Sequence, residues 1–114
     1  MKRAAKKTDP LVERLRAVLS DEQVTELATV LSALKTERAQ AEVDQRRRTS
    51  ALASAFEGSA FDGAKVDTAE EEQARSQERL KQTVKQSLAQ IHALLDDTQR
   101  KKFAYLLRTG VLSV

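Results

Sequence analysis

From Ser20 to Phe56 the chain carries neither glycine nor proline, and its apolar residues recur at helical spacing. A helix of that length spans about 55 Å at 1.5 Å per residue, so the rest of the fold has to be arranged along it. A second breaker-free run leads from Asp67 or Thr68 to Leu95. With three Gly and one Pro in the chain, beside abundant Ala, Leu, Glu, Gln, Lys and Arg, the fold class is all-α.

The first run begins and the second ends at one kind of punctuation. Leu15 to Leu31 and Ile91 to Leu107 align at a constant offset of 76 residues, with Leu19, Asp21, Gln23, Ala28 and Leu31 matching Leu95, Asp97, Gln99, Ala104 and Leu107. Ser20 and Asp96 each offer a side-chain oxygen at a helix N-cap, and Gln23 and Gln99, three residues on, can reach back to the cap N–H as a reciprocal capping box. Asp21, Glu22 and Asp97 then suit the positive end of the helix dipole. Leu19 and Leu95, just ahead of the caps, can staple each break into a fixed corner.

Between the corners, Val24, Leu27, Leu31 and Leu34 alternate three and four apart, the seam of a coiled coil. Continued, that register passes Arg38, Ala41, Gln45 and Arg48 before Leu52 and Phe56. Gly58 to Asp67 reads as a turn, with Phe61 tucked back between helices as a plug, and Asp67 or Thr68 caps the next helix. Its seam is Gln73, Gln77, Leu80, Val84, Leu88, Ile91 and Leu94 or Leu95. A short helix opened by Asp9-Pro10 precedes the first corner. Another, with Phe103, Leu106 and Leu107 inward, follows the second and closes on a left-handed Gly110, after which Val111 to Val114 dock or fray.

The architecture read from this grammar is a hooked antiparallel helical hairpin of two long helices with a short helix at each end. It comprises a basic disordered tail, residues 1–9, and a single domain over 10–114. A lone hairpin of this length leaves its long faces uncovered, so a homodimer is expected.

The net charge of +3 resides entirely in that tail, in Lys2, Arg3, Lys6 and Lys7 against Asp9, and the remainder balances. A basic tail is a poor footprint for reading nucleic acid, and with one Tyr and no Trp there is little to stack bases on. No run approaches the roughly 20 apolar residues of a membrane span. The opening MKRAAKK has the charge of a signal-peptide n-region without an apolar stretch after it, which leaves a cytoplasmic chain or one trimmed of its leader. No glycine loop and no Ser-His-acid order mark an active site, so a non-enzymatic protein is expected.

Leu-Ser-Asp-Glu-Gln at 19–23 and Leu-Asp-Asp-Thr-Gln at 95–99 resemble the paired Leu-Thr-x-x-Gln motifs of the periplasmic Spy, CpxP and CnrX-like heavy-metal-resistance proteins. The stretch Ala-Leu-Ala-x-Ala-Phe-Glu at 51–57 and Phe61-Asp62 are similar as well, and the likeness runs from about residue 10 to 110. Ser20 and Asp96 stand where Thr is usual, and both can cap. The resemblance implies a hooked hairpin dimer in the periplasm, acting in envelope or metal stress as a chaperone-like binder of unfolded proteins or as a sensor for a regulatory partner.

Two candidate sites follow. Arg46, Arg47 and Arg48, with Leu52, Phe56 and Phe61, give a mixed cationic and apolar surface suited to transient capture of a protein partner. The same arginines are also an ordinary solvated face that Glu37, Glu42 and Asp44 can pair, as is the basic echo Arg100, Lys101 and Lys102. His92 and Asp96 stand at i, i+4 spacing and could offer two ligands to a divalent metal such as zinc. With one His and no Cys, further ligands would have to come from Asp, Glu or a symmetry mate, so an ordinary helix histidine is preferred and no cofactor is expected. The alternative to the whole reading is a cytoplasmic coiled-coil adaptor or a nucleoid-associated protein that binds through its basic tail.

Overall fold

The computed structural model describes residues 18–112, and the tail and Asp9-Pro10 helix expected ahead of the first corner lie outside them. The described residues form three helices and no strand: α1 (Asp21–Glu57), α2 (Gly63–Leu94) and α3 (Asp97–Thr109). The chain is all-α. It divides into two compact units, one comprising residues up to Ala33 together with those from Gln86 onward, the other Leu34–Lys85.

The first unit has an apolar core. Val24, Leu27 and Leu31 come from α1, Ile91 from α2, Phe103 and Leu106 from α3, and the residues flanking the helices add Leu19, Leu95 and Leu112. Leu27 and Ile91 are almost wholly enclosed, at 0% and 1% exposure. A side chain of that size, fully buried, stabilises the fold by about 1.5–3 kcal/mol. The three-and-four spacing read from the sequence holds on α1 in this unit. At the far end Gly110 adopts φ 83°, the left-handed conformation that only glycine reaches without strain, and donates its N–H to the Leu107 carbonyl. The Leu112 N–H then bonds to the Leu106 carbonyl, which returns Leu112 to the core.

The second unit is held differently. Its most buried residues are Leu34, Ala55, Ala69 and Ser76, mostly small. Polar side chains make the cross-helix bonds: Gln45 meets Gln73, Asp44 meets Ser76, and Arg48 meets Glu70. Partner numbers fall on α2 as they rise on α1, so within this unit the two segments run antiparallel.

Three local expectations are corrected here. The buried and half-buried positions of α1 in this unit are 34, 37, 41, 44, 48, 51, 52 and 55, so Glu37, Asp44 and Ala55 take the places expected for Arg38, Gln45 and Phe56. On α2 Ser76 is buried where Gln77 was expected. The second helix also begins at Gly63, ahead of Asp67, because the Asp62 carboxylate accepts the Lys65 N–H at 3.1 Å and caps it there. The turn is correspondingly short and is closed by an Asp62 N–H to Ala55 carbonyl bond of 3.0 Å. Phe61 is not a plug; it is 67% exposed, with its ring edge beside Gly63.

Truncating the core should separate the enclosed side chains from the exposed ones. Leu27→Ala and Ile91→Ala are each expected to cost about 2–5 kcal/mol in urea unfolding. Phe56→Ala, at a position 79% exposed, should stay within about 0.5 kcal/mol of the parent chain.

Candidate functional site

Both corners form as capping boxes. Gln23 N–H donates to Ser20 Oγ at 3.1 Å and Ser20 N–H to Gln23 Oε1 at 2.9 Å. At the second corner Gln99 N–H donates to Asp96 Oδ1 at 2.8 Å and Asp96 N–H to Gln99 Oε1 at 2.9 Å. What the pattern does not announce is that the two corners are bonded to each other. Gln23 Nε2 donates to the Leu94 carbonyl at 2.7 Å and to Gln99 Oε1 at 3.0 Å. Gln99 Nε2 donates to the Val18 carbonyl at 2.7 Å and to Gln23 Oε1 at 3.1 Å. Each carboxamide thereby uses both N–H donors and both acceptor positions of its oxygen, its full capacity.

The exchange is symmetric: Val18 and Leu94, whose carbonyls accept from the glutamine amides, are related by the same offset as the two glutamines. A capping box alone would accept Glu as readily as Gln, but a carboxylate has no hydrogen to give Leu94 or Val18. The signal available in the sequence was therefore Gln at both third positions together with the fixed offset.

The second corner also settles how His92 and Asp96 sit. Helix α2 ends at Leu94, and Asp96 has extended backbone, with φ −86° and ψ 179°. The shared helical face that suggested a ligand pair is therefore not there, and Asp96 Oδ1 is engaged in the cap. His92 is exposed in the last turn of α2, and its carbonyl accepts Arg100 Nε at 3.0 Å. Arg100 also reaches Asp97 at 3.0 Å, so the basic echo after the corner is in part a helix-end contact. Among the described residues no three His, Cys, Asp or Glu side chains gather as a metal ion would require.

In the second unit the three adjacent arginines divide. Arg46 is exposed; Arg47 is 66% exposed and touches Asp44 at 3.4 Å; Arg48 is half-buried and grips Glu70 with two bonds, 2.9 and 2.7 Å. That fork-to-carboxylate geometry is the strong form of the ion pair. Hydrogen bonding from Arg48 holds the Glu70 carboxyl below its ordinary range. Leu52 is half-buried, whereas Phe56 and Phe61 stand out at 79% and 67% exposure. Of the expected partner surface, then, Arg48 belongs to the scaffold and the two phenylalanines are open.

Asp44 is the hub that sequence reasoning underrated. It accepts Ser76 Oγ at 2.7 Å, Arg79 Nη2 at 3.1 Å and Gln40 Nε2 at 3.0 Å, with its side chain only 12% exposed. The Ser76 and Gln40 hydrogen bonds, reinforced by Arg47 and Arg79, hold its pKa below the ordinary carboxylate value of 3.8.

Among the described residues no helix is long and apolar enough to cross a membrane. Comparison of the chain with protein-family models, curated proteins and solved structures gives no match.

Two measurements test these contacts. Gln23→Glu and Gln99→Glu each keep a cap acceptor and lose both donors, so each should cost about 1–3 kcal/mol. The double variant should cost more than the sum of the two, since each single change leaves the other glutamine's N–H to donate across the pair whereas the double change sets two carboxylates face to face. For Asp44 the folded value is the lowered one, so its contribution is present above the ordinary value of 3.8 and disappears as the pH falls through the folded value. Urea titrations below pH 4 should accordingly show a shallower acid loss of stability in Asp44→Asn than in the parent.

Proposed function

We propose that the chain is a non-enzymatic binding module of the Spy, CpxP and CnrX-like kind, a hooked helical hairpin that works as a homodimer in the periplasm and captures partly unfolded protein partners under envelope or metal stress. The observation that carries this reading is the pair of Leu-x-x-x-Gln corners, whose glutamines complete one another across 76 positions. Motifs that do nothing but cap two helices would not need to be matched in this way.

The exposed phenylalanines suit the role. Phe56 and Phe61 flank the short turn, and the Asp62 cap and the Asp62–Ala55 bond fix the backbone between them. Apolar rings held outward on a fixed turn give brief contacts to exposed chain without enclosing it. Arg46 and Arg47 lie exposed on the same unit and add charge. A metal-sensing version of the module would require zinc binding that His92→Ala abolishes.

In a light-scattering assay, a stoichiometric excess of the protein should suppress aggregation of a reduced, unfolding client. Phe56→Ser with Phe61→Ser should remove at least half of that protection while leaving the unfolding midpoint in place. Sedimentation should give twice the chain mass. A monomer that offers no protection would dispose of the proposal.

A further inference from the structure

Four guanidinium groups line one cleft of the second unit. Arg47 and Arg48 come from α1, Arg75 and Arg79 from α2, around a hollow of about 240 Å³ that Asp44, Glu72 and Gln73 also border. The four are not equivalent. Arg48 turns Nε and Nη2 to Glu70, and Arg79 turns Nη2 to Asp44. Arg47 reaches Asp44 only at 3.4 Å, and Arg75 has no hydrogen bond or ion pair with another described residue. One arginine from each helix at the same hollow is thus free of any bond between the helices.

Gln73, which borders the cleft, donates its Nε2 to Gln45 at 2.9 Å and so ties the two helices together there. The ligand suited to two guanidinium forks is a multiply charged oxyanion. Asp44 and Glu72 oppose a singly charged carboxylate at this place, so the ligand needs charge enough to outweigh them.

We propose that this cleft binds linked phosphoryl groups. Two joined tetrahedral groups can meet the forks of Arg47 and Arg75 together, geometry that guanidinium matches with paired N–H donors. The source is either free oligophosphate or the phosphate tail of a nucleotide. No aromatic side chain lines the cleft for a base to stack on, so the two sources should bind alike.

Calorimetric titration of the full chain with pyrophosphate tests this independently of client protection. One site is expected, weakened at least fivefold in Arg75→Gln and in Arg47→Gln, neither of which holds a bridge between the helices. Arg46→Gln removes the same charge from an exposed position outside the cleft lining and should leave affinity unchanged. Citrate, of similar charge, should bind at least fivefold more weakly. Equal affinity for ADP and pyrophosphate supports recognition of phosphoryl groups alone, and tighter ADP binding supports the same site with a nucleotide as the source. Absence of heat at millimolar pyrophosphate, equal losses in all three arginine variants, or citrate binding as well as pyrophosphate would overturn the proposal.

Discussion

Two carboxamides, those of Gln23 and Gln99, hold the first unit in register. Each closes its own helix cap, each donates to the backbone ahead of the other's cap, and each donates to the other. A single hydrogen bond contributes little net stability, but leaving a buried partner unpaired is costly, and here every group has several partners to lose. The core residues Leu19 and Leu95 stand immediately beside these bonds in the chain. The polar exchange therefore fixes where the apolar side chains are presented.

The two units solve the helix-pairing problem by different chemistry. In the first, leucine, isoleucine and phenylalanine supply burial, which is strong and undirected. In the second, small residues bring little area, and direction comes from the hydrogen bonds that Asp44 and Gln45 accept from α2 and that Arg48 donates to it. Directional contacts specify register more sharply than they add stability. A cleft bordered by unequal arginines is a by-product of that choice, since charges placed to align helices are also charges available to a ligand.

Much of this could be read from the residues. The extent of α1, both capping boxes, the left-handed Gly110 and the inward Phe103 and Leu106 all follow from local rules of capping and spacing, and the structure keeps them. The failures share a cause. Extending the heptad from Val24–Leu34 through the polar middle assumed that apolar spacing still governs there. In fact the helix presents Glu37 and Asp44, whose hydrogen-bonding partners lie on the other helix and leave no mark in the local sequence. Gly58 and Gly63 were both taken as turn residues, although a capping Asp62 lets a helix start on glycine directly. The exposure of Phe56 and Phe61 was likewise hidden, because large aromatic residues are more often inside. The arginines were legible as a cluster but not as Arg48 bonded across the helices, Arg47 paired to Asp44 on its own helix and Arg46 exposed.

The numbering of the contacts also sets what each costs an open chain to close. Partners in the second unit are separated by 22 to 35 positions, whereas the glutamine exchange joins residues 76 apart. Closing the longer loop from the open chain costs about 1 kcal/mol more in entropy than closing one of 28, and it yields nothing until both corners are formed. The short turn, closed by the Asp62 N–H to Ala55 carbonyl bond, therefore brings the second unit's partners together at less entropic cost than the clasp carries.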